Sequence, residues 1–370
     1  MKKVALLYGN AGGGHRSAAE AIAQGIHNQY GDTVETALVD GLRRAPTLVK
    51  NLIETYPQMV NQARLLYSFG YHAINDRRVL TALRQALEPV TELSVENMLL
   101  RNPADVYVSC HPLFNSAVPR ALKMIESQAT FIHVVTDLVS GHVMHYDASV
   151  DHLIVPTEEA RRDAIANMVP IEKISVCGQP VWPDFRQRMG QRDKVRAELG
   201  LDNRPMLLLM GGGDGMGRIE SIAREIMHSD DLPIQLVVVC GRNEHLKDNL
   251  EFLQERIPTT LFGFVKNVPE LMSAADMLGT KAGPNTICEG FIAGLPIILF
   301  DAVPGQEEGN VDYVVSSGAG AWCPTPHEFK KQVQHWLQHP AELRVTRMLS
   351  STLARPDSAL EIARVIGRFL

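Results

Sequence analysis

The sequence has few cysteines, and their spacing suggests neither a metal site nor a disulfide framework. Five occur among 370 residues, an odd number, and no two have Cys-x-x-Cys spacing. Each lies within or directly after an apolar stretch. They are best interpreted as small buried hydrophobic residues in a reducing compartment.

Long apolar runs and an excess of positive charge are also absent. No stretch reaches the roughly 18 apolar residues that a membrane-spanning helix needs. The segment after Met1 does not resemble a signal peptide. The formal net charge is −6, and no nucleic-acid-binding motif is present. The sequence therefore predicts a cytoplasmic protein that binds no nucleic acid and meets only the surface of the inner face of the cell membrane.

Apolar segments of strand length alternate with helical patterns along the chain. Most are apolar throughout, which is typical of parallel strands covered by helices on both faces. The chain is too long for one ordinary core. It therefore predicts two doubly wound, Rossmann-like α/β domains facing a cleft. The predicted strands are Val4–Tyr8, Val34–Val39, Val106–Cys110, Phe131–Thr136, Leu153–Pro156, Met206–Met210, Ile234–Cys240, Thr260–Phe264, Met277–Thr280 and Pro296–Phe300.

A short stretch that is unsuited to a helix, Gly178–Phe185, marks the predicted domain boundary. We expect a first domain at 1–180 and a second domain at 185–350. The segment 351–370 is predicted to form a C-terminal helix that packs back on the first domain.

Each predicted domain opens with a strand that runs into a glycine cluster. Gly12, Gly13 and Gly14 precede His15 and a helical stretch over Ser17–Gly25, and Gly211, Gly212 and Gly213 follow Met206–Met210. The first cluster is not a Walker A loop, because His15 and Arg16 stand where Lys and Ser or Thr are required. Glycines allow close approach of the backbone to a ligand, and their N–H groups can bind anions. Two such clusters indicate ligand loops on both walls of a cleft.

The segment Gly263–Asn310 carries the most specific pattern. Gly283 permits close approach, and Asn285 or Thr286 can cap a helix over Ile287–Ala293. Glu289 lies one turn into that helix, where a carboxylate can accept from both hydroxyls of a ribose. The loop 304–310 offers amides and carboxylates that suit sugar hydroxyls. Taken singly, Glu289 can also be a surface residue, and the loop a solvated turn.

These motifs resemble a known family. Residues 12–21, GGGHRSAAEA, are similar to the opening motif of monogalactosyldiacylglycerol synthases and processive diacylglycerol glucosyltransferases. Val134–Leu138 resembles an internal motif of that group, and Gly263–Asn310 its donor site. The block also resembles, more distantly, the enzyme that adds N-acetylglucosamine to the lipid-linked peptidoglycan precursor. The resemblance implies a GT-B fold and inverting transfer of a hexose from a UDP-sugar to a lipid such as diacylglycerol, which forms a β-glycolipid. The domain at 1–180 would then face the acceptor and the membrane, and the domain at 185–350 would bind the donor.

The resemblance also implies roles for individual residues. His15 would be the general base, and Asp137 would orient it or act as base itself. Gly12, Gly13 and Gly14 would form the acceptor-side loop, and the stretch 141–146 would border the acceptor. The donor-binding residues would be Gly211, Gly212, Gly213, Phe264, Val265, Gly283, Pro284, Asn285, Thr286, Glu289, Gln306, Glu307 and Asn310.

Within this set, Phe264 and Val265 would border the uracil, and Gln306, Glu307 and Asn310 would read the sugar. The sequence has no Asp-x-Asp pair, so we expect no metal and no cofactor besides the UDP-sugar substrate. Backbone N–H groups and Lys281 would neutralise the diphosphate. The other histidines, including His111, His133 and His152, are interpreted as structural.

The region between Arg43 and Glu88 is basic within an acidic chain. It holds seven Lys or Arg against three acidic residues, with aromatic side chains among them. This pattern suits an anionic membrane surface, and we expect Arg43, Arg44, Arg77 and Arg78 to face it. A solvated helical face is the alternative interpretation.

Three alternative functions remain open from the sequence. The first is transfer of N-acetylglucosamine to a polyprenyl-linked acceptor. The second is a UDP-sugar 2-epimerase, which can share this fold but makes no glycoside. The third is a non-catalytic nucleotide-binding module, against which His15 and the complete donor block argue.

Overall fold

The structure, a computed structural model, describes residues 1–9, 13–43, 64–139, 141–213, 215, 217–253 and 256–370, without the side chains of 64–66 and 87–90. It divides into two compact units. The first contains Met1–Pro183, Pro304–Gln306 and Asp357–Leu370, and the second Asp184–Val303 and Glu307–Pro356. In this described part of the chain, no helix is both long enough and apolar enough to span a bilayer.

The first unit is built on a six-stranded parallel sheet with the order β2-β1-β3-β4-β5-β6. Its strands are β1 (Lys2–Tyr8), β2 (Val34–Asp40), β3 (Val106–Ser109), β4 (Thr130–Val134), β5 (His152–Val155) and β6 (Ile174–Val176). Its helices are α1 (Gly14–Tyr30), α2 (Arg64–Ile74), α3 (Arg77–Arg101), α4 (Ala117–Met124), α5 (Glu158–Ala166) and, from the end of the chain, α14 (Ser358–Ile366).

The inner strands of this sheet are buried on both faces, which explains why they are mostly apolar along their length. Val4 and Leu6 of β1 pack in one core with residues of α1 and α14. Ala5 and Leu7, the alternate residues, pack in a second core that includes Phe131. A strand covered on both faces is mostly apolar at successive positions, so the apolar–polar alternation of open sheets is missing.

The second unit repeats this architecture with the strand order β12-β11-β10-β7-β8-β9, again all parallel. Its strands are β7 (Met206–Met210), β8 (Gln235–Val239), β9 (Thr259–Phe262), β10 (Met277–Lys281), β11 (Ile297–Asp301) and β12 (Gly320–Trp322). Its helices are α6 (Arg192–Glu198), α7 (Ile219–Met227), α8 (Glu244–Glu251), α9 (Val268–Ala274), α10 (Pro284–Ile292), α11 (Glu308–Ser316), α12 (Pro326–Gln338) and α13 (Pro340–Thr352).

The ten predicted strands are all present, with ends that shift by up to two residues. Two further strands, β6 and β12, were not predicted. Each has three residues and lies at the edge of its sheet. An edge strand is only partly covered, so it needs no apolar run that would reveal it in the sequence.

The crossing of α1 and α14 depends on a glycine. A Cβ added at Gly25 would lie 2.4 Å from the carbonyl oxygen of Ala359, a backbone atom that cannot rotate away. Gly70 in α2 has open space instead, with no atom within 4 Å of an added Cβ. The two glycines therefore form a matched pair of helical sites.

We expect Gly25→Ala to lower the free energy of unfolding by about 1–3 kcal/mol through overpacking, despite the better helix propensity of alanine. Gly70→Ala should leave it unchanged or raise it by up to about 1 kcal/mol. Urea unfolding followed by circular dichroism measures both. Equal midpoints for Gly25→Ala and the wild type would show that α1 and α14 accommodate the added Cβ without loss of stability.

Candidate active site

His15 lies at the switch point of the first sheet, where the order of successive strands reverses. β1 is flanked by β2 and β3, so the chain leaves β1 towards one edge and later returns on its other side. Crevices at such switch points, beyond the carboxyl ends of the strands, are the usual ligand sites of open α/β sheets. The helix α1 begins at Gly14 rather than near Ser17, and Gly13 before it has a φ of 75°. His15 therefore lies in the first helical turn, close to the end of β1.

The ring of His15 is fixed by a backbone carbonyl. Its Nδ1 lies 2.7 Å from the oxygen of Cys110, which follows β3, and 3.1 Å from Oγ1 of Thr136. A carbonyl oxygen only accepts, so Nδ1 carries the proton and Nε2 holds the lone pair. Within the described residues, no group bonds to Nε2. This nitrogen is available to accept a proton from a ligand.

The surroundings of His15 keep it neutral. Burial lowers its pKa; the charge of Asp137 offsets part of this effect, and His145 adds to it. The ring of His111 lies 4.4 Å from that of His15, centroid to centroid. Burial holds the pKa of His111 well below its ordinary value, so this neighbour is also uncharged. A neutral imidazole at neutral pH is the form that a general base requires.

Asp137 does not hydrogen-bond to His15. Its carboxylate accepts from Nε2 of His145 at 3.0 Å and from Nε2 of Gln306 at 3.3 Å. Burial by itself raises the pKa of Asp137, but His145, together with Gln306 and His15, outweighs it and lowers the pKa. Cys110 and Thr136 therefore orient the imidazole, while Asp137 acts on it through its charge.

The interpretation of the remaining histidines as scattered structural residues needs correction. His111 and His133, with His145, surround the region of His15 and Asp137, because β1, β3 and β4 end at the same edge of the sheet. His152 does lie elsewhere, with its ring bonded to Ser175. The available signal was a polar residue in or directly after each buried strand.

The second unit has its own switch point between β7 and β10. Gly211, Gly212 and Gly213 follow β7, and Gly212 has a φ of 74°, which L side chains rarely adopt. An added Cβ at Gly212 would contact Lys281, which ends β10, at 3.8 Å. The pairing of β10 with β11 shifts register at Lys281, an irregularity that re-aims a side chain. Glycine backbone and an ammonium group thus meet at one edge of the sheet.

The helix α10 begins at Pro284, and its N-cap is Gly283 without a side-chain hydrogen bond. The expected capping by Asn285 or Thr286 is therefore wrong, since Pro284 occupies the first turn and both residues follow it inside the helix. Proline favours this position because its fixed φ suits the helix and its missing N–H has no partner there. Gly283 has no side chain that could cap the helix, and the N–H groups of the first turn of a helix lack intrahelical partners.

Glu289 is the unusual group of this helix. It is half-buried, and among the described residues no donor or cation pairs with its carboxylate. Burial raises its pKa to about 7. An unpaired carboxylate in such surroundings is costly, and such groups concentrate at functional sites.

The loop after β11 is held by contacts within the protein. Glu307 is 5% exposed, and its carboxylate pairs with Lys281 and accepts from the N–H of Val303 at 2.9 Å. Asn310 is buried and donates to the carbonyl of Ala282 at 2.9 Å. Gln306 belongs to the first unit, where the hydroxyl of Tyr67 donates to its Oε1 at 3.2 Å. That these three side chains read the sugar stays a prediction.

The remaining predicted residues lie on loops. Phe264 is 53% exposed, with the guanidinium of Arg242 4.7 Å from its ring centre, and Val265 follows it half-buried. Arg43, Arg77 and Arg78 are exposed. Gly12 and Arg44 lie outside the described residues. Throughout 1–9, 13–43, 64–139 and the later described ranges, no group of three His, Cys, Asp or Glu has an arrangement that holds a metal ion.

Comparison with known proteins decides the family. The family described as monogalactosyldiacylglycerol (MGDG) synthase matches residues 15–181, and the glycosyltransferase family 28 C-terminal domain matches 206–354. A relative from Oryza sativa subsp. japonica, named probable monogalactosyldiacylglycerol synthase 2, chloroplastic, is 34% identical over 99% of this chain and 80% of its own length. This chain belongs to the monogalactosyldiacylglycerol synthase family. It is a glycosyltransferase, as the resemblance implied.

Solved structures confirm the fold of this family member. MurG from Acinetobacter baumannii is 14% identical, with a TM-score of 0.64 over 100% of both chains. A UDP-GlcNAc 2-epimerase from Neisseria meningitidis, bound to UDP-GlcNAc, is 12% identical, with a TM-score of 0.63 over 100% of both chains. At these identities the likeness shows the fold alone, which is GT-B.

The comparisons overturn the predicted location. We expected a cytoplasmic protein on the inner face of the cell membrane, but the relatives from rice, spinach and Arabidopsis thaliana are named as chloroplastic. That prediction is wrong. Its cytoplasmic part rested on the absence of a signal-like or membrane-spanning segment.

We expect His15→Ala to reduce kcat by about 10²–10⁴-fold, the usual contribution of a general base. In the wild type, kcat should fall on the acidic side at a pH below 6.5, because protonation of His15 removes the base and its pKa is lowered. The variant should lack this acidic limb of the pH–rate profile. Affinity for UDP, measured by calorimetry, should stay near the wild-type value. His27→Ala, an exposed histidine of the same helix, is the control. Near-normal turnover of a folded His15→Ala protein would place the base elsewhere.

Proposed function

We propose that this family member transfers a hexose from a UDP-sugar to diacylglycerol, with inversion at the anomeric carbon. The observation that carries the donor half is Glu289, a half-buried carboxylate without a partner in the described residues, one turn into α10. A ribose presents two vicinal hydroxyls, and a carboxylate can accept from both. Such charge-assisted bonds are about twice as strong as neutral ones.

The diphosphate of the donor would lie at the switch point of the second sheet. Backbone N–H groups of Gly211–Gly213 and of the first turn of α10 are suited to hold an anion there. Lys281 adds a positive charge to the same edge, and Glu307 holds its ammonium group in place. These groups would stabilise the charge that develops on the departing UDP. Phe264 would offer a ring face to the uracil.

The base of the reaction belongs to the first unit. Nε2 of His15 would take the proton from the acceptor hydroxyl as the oxygen attacks the anomeric carbon and UDP leaves from the opposite side. Nδ1 would keep its proton and continue to donate it to the carbonyl of Cys110, so the imidazolium forms without any change of tautomer. A single displacement of this kind inverts the configuration and yields a β-glycoside from an α-linked donor.

The names of the relatives support galactose as the sugar and diacylglycerol as the acceptor. Incubation with labelled UDP-galactose, UDP-glucose or UDP-N-acetylglucosamine and diacylglycerol vesicles tests both. We expect a labelled β-galactolipid as the main product. Transfer only to a polyprenyl-linked acceptor, or conversion of the UDP-sugar without transfer, would reject the proposal. The first result would favour the N-acetylglucosamine transferase and the second the epimerase.

Glu289→Gln should weaken binding of uridine and UDP by about 10–100-fold, which corresponds to the 1.5–3 kcal/mol of a charged hydrogen bond. Since the raised pKa of Glu289 is about 7, wild-type affinity should fall as the pH drops below 7, because the ligand then has to displace a proton. The variant should lose this pH dependence.

Calorimetry between pH 5.5 and 8.5 measures these affinities. Uridine is the better probe of pH dependence, because a terminal phosphate titrates near pH 6. Glu308→Gln, an exposed carboxylate nearby in the chain, is the matched control. Unchanged affinity of a folded Glu289→Gln protein would remove the carboxylate from the ribose site.

We also propose that the junction of α2 and α3 meets the membrane that holds the acceptor. Phe69, Val79 and Leu83 are large apolar side chains exposed by 76%, 46% and 39%. Arg77 and Arg78, at the start of α3, are exposed beside them in the chain, and Asp76 caps this helix. Exposed apolar groups next to cations suit an anionic bilayer surface.

Phe69→Ser and the double change Arg43→Gln/Arg78→Gln should each reduce binding to vesicles that contain anionic lipid. Each cation near the surface contributes about 1 kcal/mol, and added salt should weaken wild-type binding because it screens this attraction. Sedimentation with vesicles measures the bound fraction. Arg355→Gln, an exposed arginine of the second unit, should behave as the wild type. Equal binding to neutral and anionic vesicles would contradict the electrostatic part.

A further inference from the structure

Three buried side chains of the first unit form one row of hydrogen bonds. Nδ1 of His133 lies 3.0 Å from the carbonyl oxygen of Ser109, and its Nε2 lies 2.9 Å from Nδ1 of His145. Nε2 of His145 lies 3.0 Å from Oδ2 of Asp137. The exposed fractions of His133, His145 and Asp137 are 0%, 2% and 7%. Solvent thus has little access to the row.

The partners determine where the protons are. The carbonyl of Ser109 only accepts, so Nδ1 of His133 carries a proton. Burial holds the pKa of His133 well below its ordinary value, so this ring is neutral and its Nε2 accepts from Nδ1 of His145. The ionised carboxylate of Asp137 also only accepts, so Nε2 of His145 carries a second proton. Both nitrogens of His145 are then donors, one to His133 and one to Asp137.

The backbone around His145 is held as well. Val143–His145 forms one turn of 3₁₀ helix, and the amide of Asn115 donates to the carbonyls of Met144 and His145 at 2.9 and 3.2 Å. Asn115 is fully buried. The ring of His145 therefore has little freedom to leave Asp137.

We propose that His145 is a positioning residue of the catalytic site, held as an imidazolium that cancels the charge of Asp137 next to His15. The proposal rests on the role of His15 as general base. An isolated carboxylate near His15 favours the protonated form of that ring and removes the base at a higher pH. A compensating imidazolium keeps His15 unprotonated at neutral pH, while the carboxylate stays ionised and fixed in place.

The other titratable groups that face this pair do not interfere near neutral pH. His111 and His133 have pKa values held well below the ordinary value, chiefly by burial. Burial lowers the pKa of His142 to about 4, and burial with the neighbouring Asp163 raises that of Tyr146. The acidic limb of activity therefore reports on His15 and the pair of Asp137 and His145.

The charge state of His145 can be read directly. In wild-type protein with ¹⁵N-labelled histidine, NMR distinguishes an imidazolium from either neutral tautomer. At pH 8.5 we expect one of the 13 histidines to be an imidazolium, since an ordinary histidine is then about 99% neutral. The signal should vanish in both His145→Gln and Asp137→Asn. A wild-type spectrum without an imidazolium overturns the proposal, whether or not the protein transfers sugar.

The function of the pair is tested by pH–rate profiles. His145→Gln should move the acidic limb of kcat upward by about one pH unit, because Asp137 then acts on His15 without compensation. The double variant His145→Gln/Asp137→Asn should move it back towards the wild-type position. His152→Gln, a buried histidine of the same sheet that bonds to Ser175, should leave the limb in place.

An unmoved limb in folded His145→Gln protein would overturn the proposal. If that variant does not fold, the wild-type NMR spectrum decides. If His15→Ala keeps its activity while the imidazolium is present, the role of His15 fails and the charge state of His145 stands. The two failures are thus distinguishable.

Discussion

The order of the strands determines where every candidate residue lies. In each sheet the first strand of the unit, β1 or β7, is flanked by one strand that follows it early and one that follows it later. The connections leave these first strands towards opposite edges of the sheet, which opens a crevice at their carboxyl ends. The glycine clusters follow the central strands, and Cys110 and Lys281 follow or end their neighbours. Residues far apart in the sequence meet because parallel strands end at a common edge.

This geometry explains what the sequence was able to predict. Strands buried on both faces are mostly apolar, and ten of the twelve strands in the described chain were predicted from apolar segments. β6 and β12 were not predicted, because an edge strand of three residues does not need an apolar sequence. The two glycine clusters, predicted as ligand loops, follow the strands at which each sheet has its switch point.

Contacts between residues far apart in the chain could not be predicted from the sequence. Nothing in the order of residues says that β3 and β4 lie beside β1 in turn, so the convergence of His111, His133 and His145 near His15 was not predicted. The same limit applies to Glu307. As a residue in a polar loop it suits a sugar, yet in the fold its carboxylate is occupied by Lys281 and Val303. Partners of this kind depend on tertiary structure.

The buried charged groups of the two units are of two kinds, those paired within the protein and one that is not. Lys281 with Glu307, and His145 with Asp137, are compensated pairs, in which one charge offsets much of the desolvation of the other. Glu289 has no such partner in the described chain, and its pKa is raised because burial makes the charged form unfavourable. A protein gains nothing in stability from this arrangement. The hydroxyls of a bound ribose would supply the missing hydrogen bonds, so we interpret the cost as one that ligand binding removes.

The end of β3 sets the chemistry of two histidines at once. The carbonyl of Ser109 accepts from His133, and that of the next residue, Cys110, accepts from His15. Both rings therefore carry their proton on Nδ1 and present Nε2 as an acceptor, one towards His145 and the other towards a ligand. A side-chain carboxylate in the same place would fix the tautomer too, but it would add a charge that a backbone carbonyl does not. Because these acceptors are main-chain atoms, no side-chain substitution at 109 or 110 removes them. The tautomer of the base is thus a property of the strand order, and the charge near it is left to Asp137 and His145.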